Sequence, residues 1–388
     1  MKFRRSAERS SKKATKGMSY HVPFVNVPVH FAGLQEEILE TVKRVLQRGN
    51  LILRDELREF EHNLASFVGT RYAVGVNSGS DALHLTLLAL GVGQGDQVIS
   101  VSHTCVATIS AIVHTGAEPI LIDVSDDFTM DMSKLEAAIT PRTRAIVPVH
   151  LNGRSCEMDE LMSIAGRHHV DVVEDAAQAL GASYDHRQVG SFGIAGCFSL
   201  YPFKMLGAFG DGGIVTTNDA RIAREIAVLR DYGEDRETGE VLRFGYNSRL
   251  DNLQAAILNV KLRHFKGSID RRRQLAALYR EGLSDIPALK LPHFTGGKRS
   301  DVYLNYAVRA ERRDALVGFL KQNGIEPLTP LSLVKPVHRH KALRLDHLSL
   351  PNTEAIAREF LYLPVSPELS DDQIHYVISC LRRFYRTE

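Results

Sequence analysis

Short apolar runs alternate with longer segments of helical period along the first two thirds of the chain. Seven short runs, six of which contain β-branched residues, have the composition and length of buried strands. They occupy 72–77, 97–101, 119–123, 145–150, 170–175, 196–201 and 212–217. Most gaps between the runs can hold a crossover helix, and helical patterns over 35–48 and 55–68 precede the first run. We therefore predict an α/β fold on a seven-stranded, mostly parallel sheet with helices on both faces.

The connection between the last two runs differs from the others. Residues 202–211 are too few for a comfortable crossover helix. Antiparallel strands need only a short connection, so we expect these two strands to pair antiparallel.

A second pattern begins near residue 251 and extends to the end of the chain. It begins with two helical segments, 253–263 and 269–283, and a stretch with prolines and glycines, 287–297. A strand (303–308), a helix (312–323), a proline-rich stretch (327–336) and a closing helix (371–385) follow. We predict a smaller C-terminal α+β domain over 266–388. Residues 18–265 would then form an N-terminal segment and the large domain.

Composition excludes several classes of protein. The chain has 388 residues and 44% hydrophobic content, enough for one large core or two ordinary ones. Its formal net charge of +2 conceals seven basic residues and one acidic residue within 1–17, so the remainder is mildly acidic. An acidic body argues against nucleic-acid binding, and no apolar run is long enough to span a membrane.

The basic segment 1–17 is predicted to be a disordered extension. It lacks the apolar core of a secretory signal, and nucleic-acid contact by this segment is the alternative interpretation. The cysteines are scattered without paired spacing, which favours reduced thiols in a cytoplasmic protein and predicts no metal site. They are Cys105, Cys156, Cys197 and Cys380.

Asn77-Ser78-Gly79-Ser80-Asp81 lies between a predicted strand and a predicted helix. Small residues at a helix start let an anion approach unpaired N–H groups at the positive end of the helix dipole. This makes the segment a candidate phosphate site. The alternative is an ordinary helix cap formed by Ser80 or Asp81.

Two further segments contain groups suited to catalysis. Glu174 and Asp175 follow the apolar residues 172–173 at the end of a predicted strand. Open α/β sheets bind ligands at such strand ends. One of these acids can instead cap the next helix. Lys204 lies among apolar residues before a glycine-rich stretch, and a desolvated lysine has a lowered pKa and is a competent nucleophile for a Schiff base.

A phosphate cradle, a buried acid and a desolvated lysine together are what pyridoxal phosphate (PLP) requires of a protein. From about residue 22 to 384 the chain resembles the DegT/DnrJ/EryC1/StrS sugar aminotransferases, of PLP-dependent transferase fold type I. The resemblance rests on SGSDAL (78–83), EDAAQ (174–178), FSLYPFK (198–204), GDGG (210–213) and GYNSRLD (245–251).

The resemblance implies a role for each matching residue. Lys204 is expected to form the Schiff base with PLP and to transfer protons during the reaction. Asp175 is expected to pair with the pyridinium nitrogen, and Gln178 to hydrogen-bond the ring hydroxyl oxygen. The phosphate is expected at Gly79, Ser80 and Ser199.

Three further residues are assigned by the same resemblance. Asn247 is expected to reach the phosphate of a neighbouring subunit, and Arg249 to enter the partner's site, which implies a homodimer with shared active sites. His338 is a candidate substrate contact, with a surface histidine as the alternative. Cys105 stands where the family usually has an aromatic residue that stacks on the cofactor, so we expect it to make a smaller packing contact there.

The implied reaction is transfer of an amino group from glutamate to a nucleotide-linked keto-deoxy sugar. Some relatives carry histidine at the lysine position and dehydrate sugars, so Lys204 favours transamination. Two alternatives remain open. One is a different keto substrate, such as a cyclitol ketone or a keto-octulosonate, and the other is a regulatory or binding protein without PLP on the same fold.

Overall fold

The computed structural model describes residues 20–293 and 297–386. The basic extension predicted for 1–17 lies outside these residues. Within the described part of the chain, no helix combines the length and the apolar character needed to cross a bilayer.

The predicted seven-stranded sheet is confirmed. Its strands are β1 (Tyr72–Val76), β2 (Gln97–Val101), β3 (Glu118–Ile122), β4 (Thr143–Ile146), β5 (Asp171–Asp175), β8 (Ala195–Ser199) and β9 (Gly213–Thr217). Outside this sheet, the short strand β6 (Ser183–Tyr184) pairs with both β7 (Arg187–Gln188) and β11 (Arg299–Ser300).

The strand order in the large sheet is β1-β9-β8-β5-β4-β2-β3. Strand β9 pairs antiparallel with β8, as expected from the short connection before it, and it also pairs antiparallel with β1. The other pairings are parallel. Strands β1, β2, β5 and β8 therefore run in one direction. Their carboxyl ends meet at the same edge of the sheet, where open α/β folds bind ligands.

Helices cover both faces of the large sheet. The helices that precede, connect and follow its strands are α1 (Val27–Ala32), α2 (Gln35–Arg48), α3 (Asp55–Val68), α4 (Gly79–Ala89), α5 (Val106–His114), α6 (Met132–Ala138), α7 (Met158–His168) and α8 (Ala220–Leu229). Helices α4, α5 and α8 bury leucine, isoleucine and alanine side chains against one face. Helices α3 and α7 contribute to the apolar clusters on the other face.

A single helix, α9 (Asn252–Leu283), replaces the two separate helices predicted over 253–263 and 269–283. Phe265 and Ile269 are both buried in the same apolar cluster, so packing continues through the segment where the prediction placed a break. The proposed boundary between residues 265 and 266 thus falls within this helix, and the division into 18–265 and 266–388 stays a prediction.

The C-terminal part contains a second, three-stranded sheet in the order β10-β12-β13. Its elements are β10 (Leu289–Lys290), β12 (Tyr306–Ala310), β13 (Phe360–Leu363), α10 (Arg313–Gln322), α11 (Leu331–Val334), α12 (Pro351–Glu359) and α13 (Asp371–Arg386). The strand predicted over 303–308 begins later, because Tyr303 adopts a left-handed φ of 51° that an extended strand does not allow. Val22 exchanges backbone hydrogen bonds with Gly324 and Glu326, which joins the N-terminal segment to this sheet's core.

Candidate active site

Asp175 is the last residue of β5 and is almost completely buried. Its Oδ2 accepts a hydrogen bond from Thr108 Oγ1 at 2.7 Å, and its Oδ1 accepts one from the Ala177 N–H at 3.2 Å. Burial raises the pKa of Asp175, while these two hydrogen bonds and the nearby Lys204 amine act to lower it. The ionised form of the buried Asp175 carboxyl is therefore stabilised by hydrogen-bond donors and by a nearby cation.

The neighbouring Glu174 has a structural role. Its two carboxylate oxygens accept hydrogen bonds from the N–H groups of Gly190, Phe192 and Gly193, at 2.7 to 2.8 Å. His150 Nε2 lies 3.0 Å from Glu174 Oε2, and its Nδ1 accepts the Cys156 N–H. Glu174 therefore holds the loop before β8, and it does not cap a helix.

Lys204 lies in a turn just after β8. Its N–H donates to the Tyr201 carbonyl at 2.8 Å, and Ala208 N–H donates to the Leu200 carbonyl at 2.7 Å. Burial lowers the pKa of the Lys204 amine, against the opposing influence of Cys105 and Asp175. The side chain of Lys204 is half-buried, and its role as the Schiff-base lysine stays a prediction.

Lys204 lines a cavity of about 380 Å³ at the carboxyl edge of the sheet. Cys105, Gln178, Tyr201 and Asn305 line the same cavity. Loops after β2, β5 and β8 thus bring three of the predicted site residues to one place, together with a segment of the C-terminal part.

The candidate phosphate site is the start of α4. Ser78 is the N-cap residue, since its Oγ accepts the Asp81 N–H at 3.1 Å, so neither Ser80 nor Asp81 is the cap. The first N–H groups of a helix lack acceptors within the helix, which leaves those of Gly79 and Ser80 for a ligand. A Cβ at Gly79 would lie 2.7 Å from Ser199 Cβ, so glycine allows the helix start to pack directly against the end of β8.

Gln178 is held by two asparagines. Its Oε1 accepts the Asn152 N–H at 2.9 Å and lies 3.4 Å from Asn305 Nδ2. Because Oε1 is used in this way, the Nε2 group remains as a donor. An amide donor in the Lys204 cavity suits the hydrogen bond to a ring oxygen that the sequence predicted.

Cys105 precedes α5 and is exposed in the cavity. His103 is completely buried, and its ring contacts Phe128 and Phe360 at centroid distances of 5.6 and 5.5 Å. The structure thus places Cys105 beside Lys204, while His103 packs in the core.

Asn247 and Arg249 are not among the residues that line the Lys204 cavity. Asn247 is exposed, and Arg249 Nη1 donates to Asp231 Oδ1 at 2.9 Å. Between them, Ser248 Oγ donates to Asp81 at 2.7 Å, which anchors the segment beside the start of α4. Their assignment to a partner's site stays a prediction.

His338 is completely buried, which excludes the alternative of a surface histidine. Its Nδ1 is 2.6 Å from Ser102 Oγ, and its Nε2 is 3.3 Å from Glu354 Oε1. These bonds join the C-terminal part to the loop after β2. Both ring nitrogens already have partners within the chain, and the substrate contact stays a prediction.

Sequence reasoning missed the residues that position the predicted ones. Thr108 donates to Asp175, and Asn152 and Asn305 hold Gln178. Thr108 lies 67 residues from Asp175 in the chain, and Asn305 lies 127 residues from Gln178. No spacing pattern in one sequence reports such pairs.

The residues present fit pyridoxal phosphate. The start of α4 suits a phosphate, the buried Asp175 suits a cationic ring nitrogen, and the Lys204 amine suits an aldehyde. A mostly parallel seven-stranded sheet with these groups at its carboxyl edge defines the PLP-dependent transferases of fold type I.

Comparison with known proteins narrows this class to one family. The model of the DegT/DnrJ/EryC1/StrS aminotransferase family matches residues 33–382, and the chain belongs to this family. It is 42% identical to the dTDP-3-amino-3,4,6-trideoxy-alpha-D-glucose transaminase of Streptomyces venezuelae, over 94% of this chain and 96% of that protein.

Two solved structures share the fold over nearly the whole chain. The crystal structure of S. venezuelae DesV in complex with a ketimine intermediate has a TM-score of 0.90 and 42% identity, and covers 94% of this chain and 98% of that chain. The structure of NtdA from Bacillus subtilis with bound cofactor PMP has a TM-score of 0.88 and 28% identity, and covers 96% of this chain and 86% of that chain.

Proposed function

We propose that this aminotransferase uses pyridoxal phosphate to move an amino group from glutamate to a keto-deoxy sugar carried by a nucleotide. The observation that carries the proposal is that Lys204, which lines the cavity, and the buried Asp175 at the end of β5 lie close enough at the edge of the sheet for the charge of each to influence the pKa of the other. The name of the 42% identical relative contains a dTDP-linked amino sugar, which supports a nucleotide-linked sugar as the substrate class. The product would serve an amino-sugar pathway for a surface polysaccharide or a glycosylated metabolite.

Each site residue has a task in this reaction. Pyridoxal phosphate, when bound, supplies an aldehyde carbon that exchanges amines and a ring that accepts electrons. Asp175 would keep the ring nitrogen protonated, and Gln178 Nε2 would donate to the ring oxygen. Gly79, Ser80 and Ser199 would bind the phosphate.

Lys204 would perform the proton transfers. Its lowered pKa increases the share of the neutral amine, and a neutral amine can act as a base. Lys204 Nζ would remove the proton from the α-carbon of glutamate. It would later return a proton to the sugar carbon that receives the amino group.

The rest of the Lys204 cavity suits a sugar. Tyr201 and Phe203 lie edge to face at 5.4 Å, and both line the cavity. Glu326 and Tyr362 add polar groups at the side formed by the C-terminal part. Aromatic surface with a few polar groups is the usual lining of a small-molecule site.

The test is a pair of half-reactions. Purified protein loaded with pyridoxal phosphate is mixed with glutamate, and the loss of the visible absorbance band is followed with the formation of 2-oxoglutarate. The amine-loaded protein is then offered keto-sugar nucleotides, a cyclitol ketone and a keto-octulosonate, and return of the band identifies the acceptor. Return with a ketone that carries no nucleotide would contradict the proposed substrate class.

The control for this test is Lys204→Ala. The variant should fold and bind the cofactor phosphate, because α4 and Ser199 are unchanged, yet it should lose the visible band and turnover. Turnover at the original rate in Lys204→Ala would show that another residue is the nucleophile. A protein that binds no cofactor at all would instead support the regulatory alternative.

The active form is proposed to be a cytoplasmic homodimer with shared sites. The segment 232–246 exposes several apolar side chains, and Phe244 is 98% exposed. Exposed apolar patches of this kind mark protein interfaces. Asn247 and Arg249 follow this segment in the chain. If a partner subunit packed against the segment, both residues would lie near the Lys204 of that partner subunit. The unbridged cysteines of the described chain support a reducing compartment.

A further inference from the structure

A second cavity, of about 230 Å³, lies beside the Lys204 cavity. It is formed by the loop after β3, by residues 151–154 and by the segments around β10 and β12. Phe128, Leu151 and the half-buried Leu291 supply apolar walls. Asn305 lines both cavities and separates them.

Asp301 is the unusual residue in the wall of this second cavity. Its side chain is only 4% exposed, and its Oδ2 accepts from Arg154 Nη1 at 2.7 Å. Its Oδ1 is buried and has no hydrogen-bond partner among residues 20–293 and 297–386. A buried acceptor that lacks a hydrogen bond destabilises the folded protein, so a native structure usually supplies a donor.

The other acids at this cavity already have partners. Asp127 accepts from Arg154 Nε at 3.2 Å and pairs with Arg299, and the exposed Asp126 pairs with Arg309 at 2.8 Å. Asp301 must share Arg154 with Asp127, and burial raises the pKa of Asp301 despite that arginine. The missing group is therefore a donor at Asp301 Oδ1.

We propose that this cavity binds a small molecule with a primary ammonium group on an apolar carbon skeleton, the ammonium donating to Asp301 Oδ1. Hydrogen bonds between ionised groups are about twice as strong as neutral ones. A single water occupies about 30 Å³, so water at Oδ1 would leave most of the cavity and its apolar walls unfilled. The carbon skeleton would lie against Phe128 and Leu291.

The position of the cavity links it to the proposed active site. Asn305 Nδ2 donates to Asn152 Oδ1 at 3.2 Å, and both asparagines line the second cavity. The same two residues hold Gln178 Oε1. The second cavity therefore shares Asn305 with the Lys204 cavity, and Asn305 in turn contacts Gln178.

The experiment measures binding directly and does not depend on turnover. The protein is saturated with pyridoxamine phosphate, which has no aldehyde to react with an amine, and is titrated calorimetrically with cyclohexylamine. Cyclohexanol is the matched uncharged probe. We expect cyclohexylamine to bind about tenfold or more tightly than cyclohexanol, as an added charge-assisted hydrogen bond requires.

Three variants locate the binding. Asp301→Asn should weaken cyclohexylamine about tenfold or more while leaving cyclohexanol unchanged. Asp126→Asn removes an exposed carboxylate at the same cavity and should bind like the wild type. Leu291→Trp fills the cavity without touching the charges and should abolish binding of both probes, and thermal melts confirm that each variant is folded.

Three results would overturn the proposal. One is no binding of cyclohexylamine to the wild type, and another is equal binding of the two probes. The third is unchanged cyclohexylamine binding in folded Leu291→Trp, which would place the amine elsewhere. Failure of the proposed sugar substrates would leave this binding test unaffected.

Discussion

Thr108→Val should shift the pH dependence of the reaction through Asp175. Threonine and valine have nearly the same shape, so the change removes the 2.7 Å hydrogen bond to Asp175 Oδ2 with little repacking. Both residues are buried, and a hydrogen bond to a charged group contributes about 1.5–3 kcal/mol. Losing it should favour the protonated form of Asp175 by about 10- to 100-fold, which raises the pKa of this carboxyl.

The assay is the pH profile of kcat/KM for the glutamate half-reaction. The ionised Asp175 is the form that stabilises a protonated ring nitrogen, so the acidic limb of the profile should move to higher pH. Thr104→Val is the matched control, because Thr104 Oγ1 bonds Thr108 Oγ1 at 2.8 Å and makes no bond to Asp175. An acidic limb at the wild-type position in folded Thr108→Val, or an equal shift in Thr104→Val, would refute the reasoning.

Three further predictions concern the ring nitrogen, the dimer and a buried histidine. Asp175→Asn should bind the cofactor but transaminate orders of magnitude more slowly, because a neutral amide cannot stabilise a cationic ring; near-normal single-turnover rates would contradict this. Mixing inactive Lys204→Ala chains with inactive Asn247→Asp plus Arg249→Ala chains should restore up to about half the activity per heterodimer, because one of the two sites lacks both defects; confirmed heterodimers without activity would argue against shared sites. Burial lowers the pKa of His103 to about 4 from 6.5. As the pH falls, the unfolded chain therefore binds a proton at this histidine before the folded protein does. The free energy of unfolding should fall by about 3 kcal/mol between pH 7 and pH 4. Denaturant unfolding at several pH values should show a shallower pH slope in His103→Leu, and an unchanged slope would exclude this contribution.

Much of the fold could be predicted because burial leaves a local record in the sequence. Stretches such as 119–122 and 145–149 are continuously apolar because both faces of a parallel sheet are covered. The short connection 202–211 required an antiparallel neighbour, and β9 is antiparallel. The break predicted between 263 and 269 was wrong, because packing of Phe265 and Ile269 maintains one helix there.

The sequence by itself determined which residue types stand at the ends of which strands. Asp175 and Lys204 were assigned because a carboxylate after an apolar strand and a lysine among apolar residues are locally unusual. Parallel strand direction then places the ends of β1, β5 and β8 at one edge of the sheet.

Only the tertiary structure decided how those side chains are paired. In the folded chain Thr108 donates to Asp175, Asn305 contacts Gln178, and Glu174 accepts hydrogen bonds from a backbone loop. His338 is buried against Ser102, and Asp301 Oδ1 has no donor among the described residues. The hydrophobic pattern of the sequence determines which faces of helices and strands are buried. Burial of a face hardly changes when a side chain moves by an ångström. A hydrogen bond depends on distances of that size and on angle, so its partners are known only when the whole chain is packed.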